Sequence, residues 1–191
     1  VAWMIEWADE YLPNNPLWVD VHTKYAFLIK HMQAQNVFGK IAMLDPQLYE
    51  NSKALPDNIA IISANTSTQV DMVTCFEGLE RAADPKALVH VANDQLREGG
   101  LFFLTTASCS GFEYQVLKEH APNLNPINRM NLLSLEAIVA LLENAGFEVL
   151  ELSTPGRLDV DIVKGAMAKK DMPNVDPFWK YVFFHRHGRT S

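Results

Sequence analysis

The chain alternates short apolar runs with segments of helical periodicity. Residues 17–21 are apolar after the turn cluster Pro13-Asn14-Asn15-Pro16, and residues 25–33 then place apolar side chains at helical spacing. A strand followed by a helix is predicted. Residues 41–44 form a second apolar run ending at Asp45-Pro46, and residues 58–62 a third, bounded by Pro56-Asp57 and the polar stretch 63–69. Both read as buried strands.

Residues 71–76 predict a fourth strand. Asp84-Pro85 then opens a helix in the preferred order, an acidic N-cap with proline at the first helical position, and Gly99-Gly100 should stop it near Glu98. A fifth strand follows over 101–106. Ser134 and Glu136 start a helix whose Ile138, Leu141 and Leu142 form an apolar stripe before Gly146 caps it. Residues 147–152 alternate like a sixth strand, 160–169 read as a helix, and 179–184 as a last strand. Near the start, Trp3, Trp7 and Tyr11 share one helical face, which is a packing stripe or a sugar-stacking platform. Strands alternating with helices imply an α/β fold, doubly wound, with a mostly parallel sheet covered on both faces.

Composition narrows the class. A chain of 191 residues, 48% hydrophobic and 20% charged, suits one globular domain with a sizeable core, and no repeat or linker divides it. Residues 185–191 read as a frayed tail, and a chain opening on Val1 implies an upstream portion. The net charge is −7 with Lys and Arg scattered, so the electrostatic footprint of a nucleic-acid binder is missing and a small-molecule partner is expected. No apolar run approaches the roughly 18 to 20 residues of a membrane span, and no secretory signal opens the chain, so it reads as soluble and cytoplasmic. Cys75 and Cys109 sit at neither disulfide nor metal-ligand spacing and are expected as free thiols, and no metal is expected. The sequence does not fix an oligomeric state.

In an open parallel sheet, ligands bind beyond the carboxyl ends of the strands where strand order reverses. Asp45, directly after the second strand, suits either of two roles: accepting the hydrogen bonds of a ribose diol or capping a helix. The fourth strand is followed by Cys75-Phe76-Glu77-Gly78-Leu79-Glu80-Arg81, and the fifth by Thr105-Thr106-Ala107-Ser108.

These segments carry a resemblance. Residues 71–81, then Asp84-Pro85 and Leu96-Arg97-Glu98-Gly99-Gly100-Leu101, resemble the stretch from fourth to fifth strand of class I S-adenosylmethionine-dependent methyltransferases. Asn131-Leu132-Leu133-Ser134 and Ala145-Gly146-Phe147-Glu148-Val149 resemble the helix and sixth strand of that family. Residues 153–161 resemble a subgroup that methylates bacterial surface sugars or small metabolites. The resemblance runs from Leu17 to Phe184 and implies a seven-stranded sheet with S-adenosylmethionine as cofactor. It further implies that Asp45 binds the ribose, that Ser63 and Asn65 border the adenine, and that Cys75, Phe76 and Glu77 flank the methionine portion.

Two positions depart from the family pattern. Where relatives have a glycine-rich turn after an acidic residue, this chain reads Asp20-Val21-His22-Thr23-Lys24-Tyr25-Ala26. Glycine serves there because it turns with positive φ and lets backbone approach the cofactor. Lys24 suits the cofactor's carboxylate but repels a sulfonium. The second departure is Arg81, in place of the usual His after Leu79-Glu80, and a guanidinium stays protonated. Candidate bases are therefore Glu77, Glu80 and His120, with Tyr114 as an orienting hydroxyl.

The expected function is methyl transfer to a small molecule, a sugar or sugar conjugate among the candidates. Its rival is a catalytically silent module that keeps the fold for binding or assembly. A nicotinamide-dependent oxidoreductase falls behind because no G-x-G-x-x-G turn is present.

Overall fold

The structure, a computed structural model, describes residues 2–21, 26–34, 40–44, 60–62, 69–154, 160–168 and 176–184. Among these residues five strands form one parallel sheet: β1 (Leu17–Val21), β2 (Lys40–Leu44), β3 (Ala60–Ile62), β4 (Val70–Phe76) and β5 (Leu96–Thr105). Their order is β3-β2-β1-β4-β5. The chain winds outward from β1 to β3, returns, and continues from β4 to β5 on the other side. The reversal lies between β1 and β4, where Trp18 pairs with Met72, Val19 with Val73 and Asp20 with Thr74. This is the predicted doubly wound arrangement, and its switch point fixes where a ligand crevice opens.

Side chains alternate across β1, and so do the two cores. Trp18 joins Met4 and Ala8 of α1 (Ala2–Tyr11), Ile29 and Met32 of α2 (Ala26–Ala34), and Met72, Leu101 and Phe103 in one buried cluster. Val19 and Val21 enter a second, with Val73, Leu96 and Ala92 of α3 (Pro85–Gln95). Helices thus cover both faces, which is why the strands read as continuous apolar runs; each fully buried Val, Leu or Met contributes roughly 1.5 to 3 kcal/mol. On α1, Trp7 stacks on Tyr11 at 5.1 Å and packs against the first cluster, so the stripe is packing at Trp7.

A further cluster joins Val116 and Leu117 of α4 (Phe112–Leu117) to Val163, Ala166 and Met167 of α6 (Val160–Met167). Trp179 of α7 (Pro177–Phe184) meets Phe112 edge-on, with ring centroids 5.6 Å apart. Ile138 of α5 (Leu135–Asn144) packs on Leu79 and Val89. No helix among the described residues is long and apolar enough to cross a membrane.

The predicted caps form. Asp84 Oδ1 accepts from the Lys86 and Ala87 amides at 3.0 Å each, Ser134 Oγ accepts from Ala137 N at 3.2 Å, and Gly146 takes φ +95° after α5. Three expectations need correction. First, α3 stops at Gln95 and Glu98-Gly99-Gly100 belong to β5, so the glycine pair marks a bulge in the β4–β5 ladder and not a helix end. Asp71 holds this region: its carboxylate accepts from Leu17 N at 2.8 Å and Arg97 Nε at 2.6 Å. A Cβ on Gly100 would lie 3.0 Å from both the Asp71 and Arg97 carbonyl oxygens. Gly100→Ala is therefore expected to cost about 1 to 3 kcal/mol, read as a lower urea midpoint at unchanged slope.

Second, residues 147–152 form no strand: Phe147 tucks against Phe102 at 5.1 Å while Leu150 and Leu152 stay exposed. Alternation predicts a strand only where a neighbouring ladder receives it. Third, 179–184 lie in α7 and not in a strand. Asp176 caps that helix, accepting from Phe178 N at 2.9 Å, with Pro177 at its first position. The described sheet accordingly has five strands where seven were expected.

Candidate functional site

The switch point of the sheet lies between β1 and β4, and the residues at their carboxyl ends are the candidates for a site. At the β1 end, Asp20 is fully buried and forms a hydrogen-bond relay with its neighbours. The Trp18 indole N–H donates to Thr74 Oγ1 at 2.7 Å, and the Thr74 hydroxyl donates to Asp20 Oδ1 at 2.6 Å. An indole can only donate and a carboxylate can only accept, so threonine between them fixes the direction of both bonds.

At the β4 end, Cys75 is fully buried. Burial above all, then the charges of Asp20 and Glu80, push its thiol pKa far up, against the opposing effects of the Gly78 amide and Arg81. The residue therefore stays a thiol. Phe76 is half-buried against the first core cluster.

Glu77 leaves the strand in the left-handed region, φ +52°, with its amide donating to Thr105 O at 2.8 Å. A non-glycine residue held there stores strain at a strand end that turns sharply toward the crevice. The Glu77 side chain is about two-fifths exposed and lies 3.7 Å from Arg81 Nη1. Glu80, in the 3-10 turn Leu79–Arg81, has a fully buried side chain. Thr106 Oγ1 donates to its Oε2 at 2.8 Å, and Arg129 Nε stands 4.0 Å from its Oε1.

The structure thus brings Asp20, Cys75, Glu77 and Glu80 to one edge, and it divides the carboxylates by role. Glu77 is open to solvent, whereas Glu80 is enclosed. His120 sits in a 3-10 turn after α4, its Nε2 3.7 Å from Glu119 Oε1. Tyr114 accepts from Arg129 Nη1 at 3.2 Å, so its hydroxyl orients that arginine. His22, Lys24, Asp45, Ser63 and Asn65 lie outside the described residues.

Sequence reasoning named Thr106 and Asn131 only as members of motifs, and gave no role to Thr74 or Arg129. Asn131 Nδ2 donates to the Leu79 and Ala82 carbonyls at 3.1 and 2.6 Å, tying the segment before α5 to the turn after β4. No periodicity marks such residues, because their partners are far away along the chain. A concavity of about 550 Å³, lined by residues of the α1–β1 connection such as Leu12 and Asn14, opens at the opposite end of β1 and holds none of the candidates.

Two buried carboxylates, Asp20 and Glu80, are the chemistry that a sulfonium cation finds favourable, so the residues present fit S-adenosylmethionine.

Residues 7–152 match the family model described as a methyltransferase domain, about three-quarters of the chain. A ubiquinone biosynthesis O-methyltransferase of Psychrobacter cryohalolentis is 26% identical over 115 residues, which are 60% of this chain and 39% of that protein. The chain thus matches about two-fifths of that relative's length. An S-adenosylmethionine-dependent methyltransferase of Clostridium acetobutylicum has a similar structure, with TM-score 0.57 and 15% identity over 78% of this chain and 80% of that one. A methyltransferase candidate of Bacillus halodurans gives TM-score 0.60 and 20% identity, over 80% and 70% of the two chains. At such identities the structural likeness establishes the fold.

Proposed function

The chain belongs to the methyltransferase domain family, and from that premise we propose that it transfers a methyl group from S-adenosylmethionine to an oxygen of a small molecule. Sugars and sugar conjugates are among the acceptors this reading admits, and the O-methyltransferase relative supports oxygen as the acceptor atom. The observation that carries the proposal is the pair of buried carboxylates, Asp20 and Glu80, at the carboxyl ends of β1 and β4.

S-Adenosylmethionine, when bound, supplies an electrophilic methyl carbon on a positively charged sulfur. Asp20 and Glu80 provide the opposite charge from buried, hydrogen-bonded positions, so neither is free to attack that carbon. Cys75 remains protonated and escapes alkylation for the same reason. Glu77, about two-fifths exposed, is the carboxylate to which an acceptor would give a proton if that acceptor were a hydroxyl. Most of the rate enhancement then comes from alignment and exclusion of water, since the donor is already activated. In the same proposal Asp45 takes the ribose hydroxyls, and Ser63 and Asn65 border the adenine.

Calorimetric titration with S-adenosylmethionine and its demethylated product tests the reading. Saturable binding is expected, weakened by about 1 to 3 kcal/mol in Asp45→Ala through loss of charge-assisted hydrogen bonds. A folded protein that binds neither compound would favour the silent module, which the glycine-free segment 20–26 already speaks for. The double variant His22→Gly with Lys24→Gly separates the two. It restores backbone room and removes a cation, and should raise donor affinity about tenfold, roughly 1.4 kcal/mol. Weaker binding in that variant would show that His22 or Lys24 makes a cofactor contact.

A further inference from the structure

Arg81, in the 3-10 turn after β4, has no task in the mechanism above. Its side chain leaves the 3-10 turn that follows β4. Its side chain is only 19% exposed. Nη1 sits 3.7 Å from Glu77 Oε2, beyond hydrogen-bond length, and Nη2 is buried with no hydrogen-bond partner among the described residues. A shielded guanidinium nitrogen without an acceptor is unusual, because desolvating a donor costs free energy that a partner would return. The planar fork matches a carboxylate with two parallel N–H bonds.

Resting on the methyltransferase reading, we propose that Arg81 binds the acceptor and that the accepting group is a carboxylate, methylated to its ester. The chemistry suits an arginine at this place. A hydroxyl acceptor must lose a proton to a base, and an arginine cannot take one. A carboxylate arrives already ionised: one of its oxygens forms the new bond to the methyl carbon, and the carbon–sulfur bond breaks with its electron pair remaining on sulfur. No proton moves, and the negative acceptor and positive donor become a neutral ester and a neutral thioether. Arg81 holds the second carboxylate oxygen and offsets the repulsion of Asp20, Glu77 and Glu80. The Glu77 carboxylate then serves to hold the guanidinium in place, and a base is unnecessary.

The full chain is assayed with S-adenosylmethionine carrying a labelled methyl group. The acceptors are benzoate, octanoate and glucuronate, each beside its hydroxyl counterpart: benzyl alcohol, octanol and glucose. Label is expected on at least one carboxylate and on no alcohol, and mild base should release it as methanol, as esters require. The rate should stay flat from about pH 6 to 9, where a carboxylate does not titrate. Arg81→Gln should cut transfer at least tenfold and abolish heat of carboxylate binding in the presence of S-adenosylhomocysteine, with Arg81→Lys intermediate. Both variants should bind S-adenosylmethionine like the parent, which also shows that they fold. Label on alcohols alone, no label on any carboxylate, a base-stable product, or undiminished transfer by Arg81→Gln would each overturn the proposal. So would an Arg81→Gln defect in donor binding with carboxylate binding intact. Failure of the parent protein to bind S-adenosylmethionine would instead overturn the methyltransferase reading beneath it.

Discussion

Glu80→Ala is expected to lower folding stability by about 2 to 4 kcal/mol, the loss typical when one partner of a buried charged network is removed. The carboxylate is enclosed, takes the Thr106 hydroxyl at 2.8 Å and faces Arg129 at 4.0 Å. Alanine would strand the threonine donor, leave Arg129 without its anion and open a cavity beside Leu79, which is itself buried. Arg129 also donates to Tyr114 and to the Asn123 carbonyl at 2.9 Å, so the segment around it loses one anchor but not all. Glu80→Gln should cost less, because its amide oxygen still accepts from Thr106. Urea titration gives the stabilities, and turnover of the two variants separates support from chemistry. A general base is worth typically 10²- to 10⁴-fold in rate, so a stable Glu80→Gln with turnover reduced that far would make Glu80 catalytic and refute its supporting role.

Glu80 also shows where sequence reading stops. In the string Leu79-Glu80-Arg81 nothing distinguishes an enclosed carboxylate from a solvated one, since Thr106 and Arg129 are distant along the chain. Local signals fared better. Asp84-Pro85 marks the start of α3, and the apolar runs at 17–21 and 71–76 are the two central strands, because caps and double-sided burial leave a short-range imprint. Asp176-Pro177 carries the same cap signature as Asp84-Pro85, but the aromatic run after it reads as β, and the helix was missed. Around Phe147 the alternating pattern is real, yet a single anchoring contact with Phe102 satisfies it without a ladder. The resemblance identified the family, while the relay through Thr74 was invisible, as its partners lie 54 and 56 residues away.

Thr74→Val is expected to destabilise the protein by about 2 to 4 kcal/mol and to weaken S-adenosylmethionine binding as well. Valine matches threonine in volume, so the packing among Trp18, Met72 and Phe103 should survive and the loss can be assigned to the hydroxyl. That hydroxyl receives the Trp18 indole N–H and gives its own proton to Asp20, all three side chains being buried to within 1%. Without it, both a donor and a carboxylate lose a buried partner, each a cost of about 1 to 3 kcal/mol. The functional effect follows from the same geometry. Asp20 is one residue from the end of β1, paired across the switch point with Thr74, and its negative charge is part of the field proposed to receive the sulfonium. A buried carboxylate that loses one donor holds that charge less firmly, because burial favours its neutral form. Thr74→Ser provides the contrast: it keeps the hydroxyl, removes one methyl group, and should cost about 0.5 to 1.5 kcal/mol with donor affinity retained. If serine and valine lowered stability and affinity equally, the methyl packing and not the relay would be what Thr74 contributes, and the link between Asp20's hydrogen bond and the cofactor site would fail.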